Sequence, residues 1–367
     1  MLIFTLFLGL AFFSPQTDST VSGRIVDSDT NLPLPYCNIV SLTDPTLGTI
    51  SNVQGDFILD NLSLTDTLVI SQIGYQSIRI SVSAIPDTIY LKPQIYEIAA
   101  ATAISLDFPS FIPKVRGSID QLFVENYPVI EGVFRKQVVE NQEYVFMGEC
   151  SVAVRNLKRY LTDPRVSILE SAITVNEANL AGHGLKIKQT LYSNLPLYPS
   201  LYFLDEPISD NMRWRIEDVR LADNGRSEVY VLSYEFINNG QSKERGLVYV
   251  RAKDYGILRI DREMTMADQT VRSLEMKTNK IVATYQYQSS PETGKLLLHY
   301  SRLEWCFSLS GEGSNNEYTM TTDFLVTNID STRKGIRNRT DIDPFELFKD
   351  SPIVDKSNLR VIPPDYE

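Results

Sequence analysis

The chain has 367 residues, 43% hydrophobic and 22% charged, a globular composition long enough for two or three domains. Its net charge of -11 argues against a nucleic-acid or anionic-lipid binder, because phosphate contact needs a surplus of Lys and Arg. Three cysteines with no close pair give no disulfide framework: either all three are unpaired structural thiols or Cys150 bridges Cys306.

Met1 to Phe13 carries no charge, and Leu2 to Phe13 is an apolar run too short to span a bilayer. It reads as the core of a signal peptide covering residues 1–16, with cleavage near Ser14-Pro15-Gln16, although it lacks a basic start and an A-x-A site. The alternative is a buried segment of the folded domain. No cysteine stands near the end of the run, which argues against a lipoprotein signal, and no other stretch is apolar enough to cross a membrane. The expectation is an exported protein, periplasmic or associated with the outer membrane.

Residues 20–94 read as an all-β sandwich. Seven short β-patterned runs follow one another: Gly23 to Val26, Tyr36 to Leu42, Gly48 to Ser51, Asp56 to Leu59, Thr67 to Ser71, Gln76 to Val82 and Thr88 to Leu91. Polar turns separate them. Asp27-x-Asp29-x-Asn31 lacks the later Gly and acid of a calcium loop and is a plain turn. Gly55 is expected at positive φ in a tight turn, with Phe57 entering the core two residues on, and Gly74 lets Tyr75 reverse direction. Seven acids against three bases give this block a net charge of -4 and make it a poor membrane-surface binder.

The block resembles the carboxypeptidase-regulatory-like domain, a transthyretin-like β-sandwich. The residues that carry the resemblance are Gly23-Arg24-Ile25-Val26-Asp27, Leu34-Pro35-Tyr36-Cys37-Asn38-Ile39, Ser51-Asn52-Val53-Gln54-Gly55-Asp56-Phe57 and Ile70-Ser71-Gln72-Ile73-Gly74-Tyr75. Tyr36-Cys37 is bulkier than the small residue usual there. The resemblance implies a seven-stranded Greek-key sandwich with no zinc ligands and no peptidase activity.

Residues 95–114, with Pro109 and Pro113, read as a linker, followed by a short helix from about Gly117 to Asn126. Residues 115–340 are then mainly long antiparallel strands. Phe134 to Val139 and Tyr144 to Val154 join near Glu140-Asn141-Gln142. Arg213 to Leu221, Ser227 to Phe236, Arg245 to Arg251 and Gly256 to Asp261 form a meander through hairpin turns. Val271 to Tyr287, Lys295 to Leu309 and Glu317 to Asn328 complete one large sheet. Residues 341–367 are a polar tail.

Stretches such as Gly132-Val133-Phe134-Arg135-Lys136-Gln137 and Gly246-Leu247-Val248-Tyr249-Val250-Arg251 are similar to the part that follows the regulatory-like domain in exported Gram-negative envelope proteins. The last strands are also similar to the half-barrel of lipoprotein carriers. Around Leu247, Tyr249 and Arg251 the second sheet face is mixed, which predicts a cover: the helix, the Glu177 to Glu206 connection or an apolar ligand.

No catalytic or metal motif occurs, and no cofactor is implied. His183 lies in a Gly-flanked loop, His299 lies in an apolar strand, and Asp205-Glu206 are too close together to flank a glycosidic bond. Arg333, Lys334, Arg337 and Arg339 form a basic patch that either meets phosphate groups or is a solvated loop. The expectation is a non-catalytic envelope protein that binds a protein partner or an apolar ligand. A lipid carrier and an envelope hydrolase are the alternatives.

Overall fold

The structure is a computed structural model that describes residues 19–44, 47–94, 106–123, 129–155, 165–174, 201–205, 211–222, 227–238, 241–265, 268–271, 274–290, 293–311 and 314–330. The expected signal peptide, His183, Glu206, the basic patch and the tail lie outside them.

Seven strands form the N-terminal sandwich: β1 (Ser19–Asp27), β2 (Asn38–Ser41), β3 (Gly48–Ile50), β4 (Asp56–Leu62), β5 (Thr67–Ser71), β6 (Ile78–Ser81) and β7 (Thr88–Leu91). One sheet has the order β4-β1-β7 and the other β3-β2-β5-β6. The β1–β7 pair is parallel, so the last strand returns beside the first. Alternate residues point inward, and Ile25, Ile39, Phe57, Leu68, Ile70 and Leu91 make the core.

Two glycines are required here by space. Gly23 pairs with Phe57, and a Cβ at Gly23 would stand 3.0 Å from the Phe57 ring. Gly55 has φ +79°, and a Cβ there would stand 2.3 Å from the carbonyl oxygen of Ile25. Gly55→Val should therefore destabilise the protein by more than about 1 kcal/mol, measured by urea denaturation. The Asp27 turn is held by its own carboxylate, which accepts from the backbone N–H of Asp29 and Thr30, each at 2.8 Å, and from the Tyr75 hydroxyl at 2.8 Å.

Helix α1 (Phe108–Leu122) starts nine residues before the expected Gly117, inside the expected linker. Pro109 misled the reading: it stands in the first turn, where its missing N–H costs nothing, and Pro113 gives up only one internal bond. Phe111, Ile112, Val115 and Ile119 recur at helical spacing and are buried. The helix ends at Leu122, four residues before the expected Asn126, because Phe123 is already extended and bridged to Leu296.

The large sheet contains β8 (Val129–Glu140), β9 (Glu143–Arg155), β10 (Arg165–Thr174), β11 (Met212–Ala222), β12 (Ser227–Asn238), β13 (Gln241–Arg251), β14 (Ile257–Met264), β15 (Gln269–Val271), β16 (Leu274–Ser289), β17 (Leu296–Gly311) and β18 (Ser314–Asp330). The order is β10-β9-β8-β18-β17-β16-β14-β13-β12-β11, with β15 beside β16. The last strand thus closes the gap between the β8–β10 hairpins and the meander.

One face is apolar, with Phe134, Val138, Val248, Val250, Ile260, Phe307 and Phe324. Helix α1 and the single turn α2 (Tyr202–Asp205) cover it where β11–β14 run. Phe203 stacks on Tyr234 at 4.4 Å, and Phe111 meets Tyr230 and Tyr255 edge-on. The other face carries a row of paired residues across nine strands: Glu149, Arg135, Asp323, Arg302, Thr284, Asp261, Leu247, Ser233 and Arg215.

The three cysteines are free. Cys150 lies on the apolar face, and Cys306, paired with Thr319, on the other, so the sheet itself separates the proposed bridge partners. Burial pushes the Cys37 thiol up to about 12 and also raises Cys150 and Cys306.

Candidate functional site

The mixed face of the sheet is where the sandwich docks. Helix α1, one of the covers expected from the sequence, lies on the opposite, apolar face, and most of the Glu177 to Glu206 connection lies outside the described residues. Tyr36 and Ile50 of the sandwich pack on Tyr300 and Leu325, with the Tyr36 and Tyr300 rings 5.7 Å apart. Ile73 packs among Val229, Val231 and Tyr249. The Gly74 N–H donates to the Leu221 carbonyl at 3.1 Å, and Gln286 Nε2 donates to the Tyr36 carbonyl at 3.2 Å. The Arg259 guanidinium lies 5.4 Å from the ring centres of both Tyr36 and Tyr249.

Tyr36 sustains this contact from φ +63°, a conformation that costs a non-glycine residue about 1 kcal/mol or more. It is also the residue at which the sequence departs from the regulatory-like pattern. The departure therefore has a physical reason: a small side chain there could not reach Tyr300 and Arg259.

Beside the contact a cleft of about 410 Å³ stays open between the domains. Its sandwich wall is the outer face of β2, β5 and β6, with Asn38, Ser71 and Arg79. Its sheet wall carries Arg251, Arg259, Gln286, Gln288 and His299. Among the described residues, three arginines and no carboxylate line it, in a chain of net charge -11.

The arginines differ in what they hold. Arg251 is fully engaged: Nε and Nη2 donate to Asp254 at 2.9 and 2.8 Å, and Nη1 to Ser289 at 3.0 Å. Arg259 gives its Nε to Asp261 at 2.9 Å. Burial alone would lower the Arg259 pKa, but the Asp261 charge and its tyrosine neighbours hold it above the ordinary value. Arg79 is exposed and makes no ion pair among the described residues.

His299 is the extra residue of a bulge opposite Gln286 and Tyr287. Its Nε2 and the Asn38 Oδ1 are buried without a hydrogen-bond partner. Burial lowers the His299 pKa from 6.5 to about 4, so the ring is neutral at pH 7. Between those values the unfolded chain binds the proton first. Stability should therefore fall as pH drops from 6.5 toward 4, by on the order of 3 kcal/mol in full. Urea denaturation at both ends of that range, compared with His299→Gln, isolates this residue's share.

A second depression of about 530 Å³ lies nearer edge strand β11 on the same face. Its charges balance internally: Arg213, Arg215 and Arg245 stand among Glu217, Glu235 and Glu263, with Arg245 bonded to Glu263 at 2.6 Å. An exposed pair of this kind is worth little, and the four arginines of the lining are matched in number by Glu217, Glu235, Asp261 and Glu263.

Of the residues singled out from sequence, Gly23, Gly55 and Phe57 lie in the sandwich core or its turns, away from the cleft. Gly74, φ +89°, and Tyr75 lie at the domain contact, and Tyr75 lines the cleft. Asn38, Arg79, Arg259 and the cleft role of His299 were missed, because no local pattern links residues as far apart as Tyr36 and Gln286, 250 positions away. Among the described residues, no group of three or more His, Cys, Asp or Glu could hold a metal ion. No helix among them is long and apolar enough to cross a membrane.

Residues 21–99 match the model of the CarboxypepD_reg-like domain. The sandwich is a CarboxypepD_reg-like domain. The match ends before helix α1, so the large sheet lies outside this CarboxypepD_reg-like domain. No curated protein sequence matches the chain. Among solved structures, a LolA superfamily protein from Nitrosomonas europaea is similar at 9% identity and a TM-score of 0.22, over 62% of this chain and 96% of its own. A putative outer membrane lipoprotein-sorting protein domain from Vibrio parahaemolyticus is similar at 9% identity and a TM-score of 0.25, over 62% of this chain and 94% of its own. Scores at this level do not establish a shared fold.

Proposed function

We propose that the protein is an exported, non-catalytic binding protein whose ligand seats in the cleft between the CarboxypepD_reg-like domain and the large sheet. The observation that carries this reading is the lining: arginine, amide and hydroxyl groups from both domains converge there, with two buried polar atoms unpartnered. Among the described residues, the same lining offers hydrogen bonds but no paired nucleophile and base, since no cysteine or carboxylate of theirs borders it and His299 Nε2 bonds to none of them. Export rests on the uncharged apolar run Leu2 to Phe13. An apolar carrier finds less support, because α1, Phe203 and Leu204 occupy the apolar face over the meander.

The test is a thermal-shift screen of the full chain against chemically diverse small molecules, repeated with Ser71→Trp to fill the cleft. Stabilising compounds that lose their effect in the variant, and that NMR recovers unchanged, support the reading. Turnover of a hit, or hits indifferent to Ser71→Trp, would overturn it.

A further inference from the structure

Resting on that reading of the cleft, we infer that its ligand is a small hydroxyl-rich oxyanion, carrying a carboxylate or a phosphate that Arg79 and Arg259 bind together. Arg259 supplies geometry. Its Nε is fixed by Asp261 and its guanidinium lies over two tyrosine rings, while Nη1 and Nη2 make no bond among the described residues. A guanidinium held in one plane with both terminal nitrogens free presents the fork that carboxylate and phosphate oxygens fit. Arg79, across the cleft on β6, supplies charge. Asp261 neutralises much of Arg259, whereas among the described residues no carboxylate stands on Arg79 or lines the cleft.

The rest of the lining indicates what carries the anion. Asn38, Ser71 and Gln288 surround the arginines, and the Asn38 Oδ1 and His299 Nε2 are buried with no partner. Amide and hydroxyl groups in a lining are met by a ligand that carries several hydroxyl groups of its own. An apolar anion such as a fatty acid would leave them unmet. A volume of about 410 Å³ holds a small molecule, not a folded partner.

Calorimetric titration of the full chain with glucuronate, glucose 6-phosphate and glucose tests this. At least one of the two anions should bind at least about tenfold more tightly than glucose, and weaken as salt is raised. Which of them binds separates a carboxylate from a phosphate source. Arg79→Gln, an exposed position, should weaken the anion by about tenfold or more while leaving the melting temperature of the free protein unchanged. Failure of both anions to bind, equal binding of glucose, or indifference to Arg79→Gln would overturn the inference. Glucose binding that Ser71→Trp abolishes, without anion preference, would sink the ligand class and leave the cleft standing as a binding site. Anion binding unaffected by Ser71→Trp would sink both.

Discussion

Arg262→Leu should destabilise the protein by about 3–5 kcal/mol, the cost of leaving a buried carboxylate without its cation. Arg262 donates from Nε and Nη2 to the two oxygens of Glu244 at 2.8 and 2.9 Å, and the two side chains are 5% and 1% exposed. The Tyr234 hydroxyl donates to the same carboxylate at 2.5 Å. Above the pair lies Phe203, its ring 5.8 Å from the guanidinium and stacked on Tyr234. Gly246, between the strands of this group, has no room for a side chain: a Cβ would stand 2.3 Å from the Asp261 carbonyl. Water therefore cannot easily replace the lost guanidinium. The double variant Arg262→Met with Glu244→Leu removes both charges and should recover most of the loss. Urea denaturation of the two variants decides it. A single-variant cost below about 1 kcal/mol would mean that Glu244 reaches solvent.

That pair also shows where the sequence could be read and where it could not. Ile260 alternates with Arg259 and Asp261, and Lys253-Asp254-Tyr255-Gly256 marks the turn before its strand, so this hairpin was legible from period and turn chemistry. Glu244 and Arg262 belong to the same hairpin, yet nothing local says that both point into the apolar face. Longer links were less visible. Arg135 and Asp323 stand opposite each other in register because β18 inserts beside β8, a pairing that no short turn specifies. The strand β10 was missed altogether. At the candidate site, Tyr36 was noticed only as too large for its position. Its purpose depends on Tyr300 and Arg259, which arrive by tertiary packing. The mixed face around Tyr249 was read correctly as needing a cover. The cover proved to be the sandwich, because side-chain pattern states that a face is buried and not what buries it.

Phe57→Ala should cost the sandwich about 3–5 kcal/mol, a large part of what a domain of this size possesses. Phe57 is 1% exposed, and its ring lies against Gly23. The two tryptophans give a way to see where the loss falls. Trp214 and Trp305 both belong to the large sheet, so their fluorescence follows that sheet while far-ultraviolet circular dichroism follows every strand. In Phe57→Ala a circular-dichroism transition should move to lower temperature ahead of the tryptophan transition. The sheet should survive, because its own core of Phe134, Tyr234, Ile260 and Phe324 makes no use of Phe57. Its mixed face would then lose Tyr36 and Ile50 from Tyr300 and Leu325, and the cleft would lose its Asn38, Ser71 and Arg79 wall. Ligand stabilisation should accordingly vanish in this variant before the tryptophan signal changes. If both signals instead shift together, docking through Tyr36, Ile50 and Ile73 couples the sandwich and sheet into one cooperative unit, and the independent stability of the sheet is refuted.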